Sequence, residues 1–245
     1  MLTRNSGIEI LVLIKNSSTY VTSSDVFVAG LAATQTNSLD NVYFVPKTGF
    51  TGVVEIPYTA SNYYTGGQIS GTVKIYYSKT FTDVKADWAY DYIMQMAAEG
   101  IVTGKTATTF DPDGKVTYGE ALKMIMLAAG YKEQANGTKY WADNYLTLAK
   151  SEGLIASTFP SSDLGKVIDR NAVASIAAKA LGLKAVTATS TTPFADSTDG
   201  YVLALYNAGI IEGSTVGTKT YYYGSNDISR KEISKIVCLI SDYNG

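Results

Sequence analysis

The chain has 245 residues, 46% of them hydrophobic and 17% charged, with a formal net charge of −2. That balance fits folded domains rather than a disordered chain and argues against a nucleic-acid partner held by phosphate neutralisation. The absence of histidine removes Ser-His-Asp and Cys-His catalysis and the commonest zinc ligand. The single Cys238 permits no disulfide within the chain, and no apolar stretch reaches the roughly 18–20 residues that span a bilayer.

Residues 1–79 read as strands, dense in Thr, Val, Ile and Tyr and punctuated by turn residues. The runs fall near 8–15, 24–30, 40–46, 51–59 and 68–77, with "NYYTGG" at 62–67 as a hairpin or loop signal. The apolar patch "IEILVLI" lacks a small-residue cleavage pattern after it and reads as a strand rather than a signal segment. Several short strands with partial alternation predict an antiparallel β-sandwich.

From residue 81 onward the period changes to 3.6. "WAYDYIMQMAAEG" is a helix that Gly100 ends, and "TYGE" opens the next helix with Thr117 and Glu120 at capping-box spacing. The pattern then recurs. The glycines that end the first helix of each copy, Gly100, Gly153 and Gly209, lie 53 and 56 residues apart. The second position of each following cap is Tyr118, Arg170 and Arg230. Trp88 and Trp141 each lie 12 residues before their glycine. Such a period means stacked helical units, none of which buries its apolar face alone. The predicted organisation is a β domain over 1–79 and three repeats over 80–133, 134–186 and 187–245.

The sequence marks of the repeats are "FTDV" and "FADS", "WA" at 88 and 141, "GIVTG" and "GIIEG", and the caps "VTYGE", "IDRNA" and "ISRKE". Together these resemble the S-layer homology (SLH) domain of bacterial surface proteins, over residues 81 to 243. The resemblance implies a pseudo-threefold, all-helical trimer behind the sandwich. It implies grooves between repeats that bind a secondary cell-wall polysaccharide attached to peptidoglycan, typically carrying a pyruvylated, anionic sugar. The expected product is a non-catalytic anchor at the extracellular face of the bacterial cell wall, without a cofactor or metal. Upstream domains of a larger surface protein are expected to be missing from this chain. The N-terminal strands resemble bacterial immunoglobulin- or cadherin-like spacer domains.

Site residues follow from the same resemblance. Arg170 and Arg230 match the family's cap arginine, which meets the ligand's negative charge; a guanidinium beside helix N-terminal amides suits a carboxylate. Asp83 and Asp196 match the opening aspartate, as acceptors for sugar hydroxyls or as caps of the next helix. Gly104 and Gly213 match the turn glycine, where a missing Cβ lets sugar approach the backbone. Tyr118 stands where the first copy should have arginine, leaving stacking or one hydrogen bond to a sugar. Trp88 and Trp141 serve either as core anchors or as sugar platforms. "DPDG" at 111–114 reads as a turn, since it lacks the further ligands of a calcium loop. The Tyr221–Tyr223 run either lines a groove or packs. Two other functions compete: a structural lattice protein acting through protein–protein contacts, and a glycosidase, for which the sequence offers no distinctive carboxylate pair.

Overall fold

The computed structural model describes residues 50–61, 68–188 and 192–244. The chain divides into two units, Met1–Lys79 and Thr80–Gly245. In the first, strands β1 (Gly52–Ser61) and β2 (Gln68–Tyr77) pair antiparallel, with Gly52 opposite Tyr77 and Ser61 opposite Gln68. Val54 is buried, while Glu55 faces Lys74 across the ladder and forms an exposed ion pair at 3.7 Å. The strands predicted near 8–15, 24–30 and 40–46 and the turn at 62–67 lie outside the described residues.

The second unit is built mainly from helices: α1 (Tyr90–Ala98), α2 (Tyr118–Ala128), α3 (Asp143–Ser151), α4 (Arg170–Ala180), α5 (Gly200–Asn207) and α6 (Arg230–Asn244). A short hairpin, β3 (Ser214–Val216) and β4 (Lys219–Tyr221), lies between α5 and α6. The helix starts follow from their caps. Thr117 and Glu120 form a capping box on α2. Asp169 accepts from the Ala172 N–H at 2.7 Å on α4. On α6, the Glu232 carboxylate accepts from the Ser229 N–H at 2.8 Å, while the Glu232 N–H donates to the Ser229 hydroxyl at 3.4 Å. Each satisfies an amide that the helix itself leaves unpaired. The first five helices stop at glycines with positive φ, between 68° and 85°, at Gly100, Gly130, Gly153, Gly182 and Gly209. A residue with a Cβ resists that conformation. Cys238 is buried in α6.

The packing partners are not the helices that the sequence repeat joins. Helix α1 packs on α6, α3 on α2 and α5 on α4. Each first helix thus lies against the second helix of another repeat, and the first and last of the described helices meet. Helix α2 also touches α4 and α6.

The residues just before α2, α4 and α6 join in a closed cycle of backbone hydrogen bonds. The Val116 N–H donates to the Ile228 carbonyl (3.2 Å), Ile228 to Ile168 (3.3 Å) and Ile168 to Val116 (3.0 Å). All three side chains are fully buried. The β-branched side chains thus pin the three helix starts together on one apolar centre.

Candidate functional site

Each of these helix starts is plugged into the loop of another repeat. The Tyr118 and Gly119 amides of α2 donate to the Lys166 and Leu164 carbonyls (3.0 and 2.9 Å). Those of Arg170 and Asn171 on α4 donate to Asn226 and Gly224 (3.0 and 2.9 Å). Those of Arg230 and Lys231 on α6 donate to Gly114 and Pro112 (both 2.9 Å). This corrects one expectation: the amides read as anion donors already serve backbone carbonyls. "DPDG" is a turn, closed by Gly114 N–H to the Asp111 carbonyl at 3.1 Å, and it receives the start of α6. Among the described residues no cluster of three metal-ligating side chains occurs.

At each junction the first helical side chain lies over an aromatic ring of the next loop. The Arg230 guanidinium sits 4.5 Å from the Phe110 ring centre and Arg170 sits 5.0 Å from that of Tyr222. Tyr118 lies with its ring 4.9 Å from Phe159. Both arginines also donate from Nε to the backbone carbonyl of the same aromatic residue, at 2.9 Å to Phe110 and 3.1 Å to Tyr222. Such contacts combine cation–π attraction with charge-assisted hydrogen bonds.

Asp83 and Asp196 hold these aromatic loops and cap no helix. Asp83 accepts from the Phe110 and Asp111 amides at 2.8 and 2.7 Å. Asp196 accepts from the Tyr222 and Tyr223 amides at 2.7 and 2.8 Å. Burial pushes the Asp83 carboxyl up, but the backbone donors and the Arg230 charge outweigh it and hold it below the usual range. The bent backbone that follows puts Asp111 (φ 63°) and Tyr223 (φ 57°) in the left-handed region. Gly104 and Gly213 stand behind these loops. A Cβ on Gly104 would lie 2.7 Å from the Phe81 ring and 2.5 Å from the Thr106 carbonyl. One on Gly213 would lie 2.8 Å from the Phe194 ring and 2.4 Å from Thr220. Internal packing alone therefore requires glycine at both positions.

The arginines are not equally available. Arg230 exposes 5% of its side chain. It donates to the Thr103 carbonyl at 2.7 Å and lies 3.6 Å from the Glu120 carboxylate. Burial pulls its guanidinium below its ordinary pKa, opposed by Glu120, Asp111 and Asp83, and an arginine stays charged there. Burial also raises the Glu120 carboxyl, but hydrogen bonds from Lys105 and Thr117 prevail and hold it low. Arg170 exposes 17% and pairs with Glu232 at 3.0 Å. At the third junction both members of the ion pair are absent. Tyr118 replaces arginine, and Ala172 stands where Glu120 and Glu232 stand in the other helices.

A groove of ≈ 850 Å³ opens where Arg170 meets the third repeat. Of the predicted site residues, Trp88, Arg170 and Gly213 line it. Trp88 is 52% exposed and so is no core anchor. Trp141 is half-buried between Tyr140 and Tyr145, with ring centres 5.9 and 6.5 Å away. Asp83, Asp196, Gly104, Tyr118, Trp141 and Arg230 stand outside the groove lining.

Sequence reasoning missed Lys115, Lys235, Glu212 and Glu232 in this groove. Lys235 pairs with Glu212 at 2.8 Å. Glu232 sits three residues after a serine cap, the one sequence signal that marks it. The tyrosine run divides by position. Tyr222 is buried, which pushes its phenol far above the ordinary value. Tyr221 and Tyr223 stack with ring centres 5.5 Å apart, and Tyr223 faces the groove. The groove thus offers two exposed aromatic faces beside cations and hydrogen-bonding carboxylates. That equipment suits a ring with one apolar face and charged or hydroxyl substituents.

Residues 80–122 match the family described as S-layer homology domain. The middle cell wall protein of Brevibacillus brevis is 33% identical over 100 residues, 38% of this chain and 9% of that protein. The surface-layer 125 kDa protein of Lysinibacillus sphaericus is 37% identical over 84 residues, 31% of this chain and 7% of that protein. Exoglucanase XynX of Acetivibrio thermocellus is 32% identical over 121 residues, 46% of this chain and 11% of that enzyme. The chain spans about a tenth of the length of the curated relatives it matches.

Proposed function

We propose that the helical unit is a non-catalytic anchor at the bacterial cell surface. In this reading three SLH repeats form a pseudo-threefold trimer whose groove at Arg170 binds a secondary cell-wall polysaccharide carrying an anionic, pyruvylated sugar. The β domain is its spacer. The observation that carries the reading is Trp88, a large aromatic side chain left 52% exposed in a groove that Arg170 also lines and to which all three repeats contribute. The match of residues 80–122 and the cell-wall and surface-layer relatives support it. The recurrence of a similar segment in a protein named as an exoglucanase, of which it covers only 11%, supports a module separable from catalysis. Two of the groove carboxylates, Glu212 and Glu232, already balance Lys235 and Arg170.

Co-sedimentation of the chain with purified sacculi, before and after stripping of the secondary polymer, tests this. Pelleting should need the polymer, and Trp88→Ala should weaken it roughly tenfold through the lost ring contact. Trp88 and the exposed Lys115 are better probes than Arg230, whose loss disturbs the fold as well. Equal pelleting of stripped and polymer-bearing walls, and of Trp88→Ala and the wild type, would overturn the reading. Ordered assembly of the protein without any wall would favour a lattice role.

A further inference from the structure

The junctions carrying Arg230 and Arg170 share one backbone scheme, and one of the residues in which they differ lies directly on the ion pair. After the turn glycine, the first repeat has Lys105 and the third has Ser214. Lys105 reaches the Glu120 Oε1 atom, the oxygen that Arg230 approaches, and makes the closer contact with it. Arg230 Nη1 remains 3.6 Å away, and its Nη2 turns inward to the Thr103 carbonyl. At the other junction, where Ser214 stands, Arg170 Nη1 closes to 3.0 Å on Glu232 and lines the groove. The exposures follow: 5% for Arg230 and 20% for Glu120, against 17% for Arg170 and 36% for Glu232.

We propose that Lys105 is a specificity-determining residue: it occupies the carboxylate of the junction between the third and first repeats, closes that junction to ligand and leaves the Arg170 groove as the working site. This rests on the groove reading above. The chemistry is competition. A lysine ammonium is a compact point charge, and on the Glu120 oxygen it removes both an acceptor for sugar hydroxyls and the outward partner of the guanidinium. The occluded site would take the same class of ligand, a pyranose bearing a carboxylate.

The test exchanges the two residues in the full chain. Lys105→Ser copies the open junction, and Ser214→Lys copies the closed one. Both positions are exposed, so neither change should disturb folding. Titration with secondary polymer released from sacculi should show a second ligand bound per chain for Lys105→Ser, with avidity for whole walls rising on the order of tenfold or more. Ser214→Lys should lose most polymer binding. Both expectations oppose simple charge attraction, under which an anionic polymer would prefer the variant that gains a lysine.

A readout without ligand separates this inference from the groove reading. Labelling by an arginine-specific dicarbonyl, followed by peptide mass analysis, should mark Arg170 faster than Arg230 in the wild type. In Lys105→Ser the rate at Arg230 should rise severalfold toward that of Arg170. Unchanged Arg230 labelling overturns the inference whether or not any polymer binds, as does an unchanged stoichiometry in a protein whose wild type binds. Faster Arg230 labelling in a protein that binds no polymer upholds closure by Lys105 and removes only the functional reading.

Discussion

The junction between the third and first repeats and the junction between the first and second rest on the same backbone hydrogen bonds but bury opposite chemistry. At one, Arg230 lies over Phe110 with Glu120 beside it. At the other, Tyr118 lies over Phe159, and the carboxylate position holds Ala172. The arginine and the glutamate come from different helices, yet the one junction that lacks the first also lacks the second. A buried charge without a partner costs several kcal/mol, whereas an apolar pair in the same space costs little. The two positions therefore have to change together, and an aromatic pair is a stable alternative to the ion pair.

The largest effect expected from this comparison is at Arg230. Removing it strips a cation from the Phe110 and Thr103 carbonyls and empties the buried space over the Phe110 ring, leaving Glu120 to Lys105 alone. Arg230→Ala should destabilise the helical unit by about 3–5 kcal/mol. Arg170→Ala, at a more exposed pair, should cost about 1–2 kcal/mol. Urea denaturation followed by circular dichroism measures both. Equal losses would mean that the two junctions are energetically alike, and that exposure is a poor guide to what each arginine does.

The next test moves the ion pair. Tyr118→Arg alone places a guanidinium beside Phe159 without the carboxylate that the other junctions supply from the third position of the facing helix. Only the more distant Asp169 and Asp163 charges offset it, and the change should destabilise by about 1–2 kcal/mol. Adding Ala172→Glu supplies the missing carboxylate and should recover at least about 1 kcal/mol of that loss, a coupling that a double-mutant cycle isolates. Additive losses would show that the paired absence has no energetic basis.

Much of this was legible in sequence because it is local. The capping box at Thr117 and Glu120 follows from spacing alone. The glycine stops follow from the need for a positive φ. What sequence did not carry is long-range. The partner of Arg230 is Glu120, a capping residue that already has a local role. Nothing in the run "ISRKE" says that the helix amides are taken by "DPDG" or that α1 lies on α6. The two readings of Trp88, core anchor or sugar platform, could not be separated by spacing: it precedes α1 by two positions, outside the periodic segment, and only the packing shows it exposed in the groove lining.

The smallest effect concerns the turn after each aspartate. Asp111 and Tyr223 occupy equivalent positions with φ near 60°, after the two amides that Asp83 and Asp196 hold. Aspartate tolerates that conformation, and a bulky ring does not. A tyrosine there carries about 1 kcal/mol of backbone strain, while its ring stacks on Tyr221 and faces the groove. Tyr223→Asn should relieve most of that strain and raise stability by about 0.5–1 kcal/mol, less the small stacking contribution. If the ring serves the ligand, the same variant should pellet less with polymer-bearing walls. A variant that is both more stable and an equal binder would assign Tyr223 to neither task, and the strain would then reflect only what the turn tolerates.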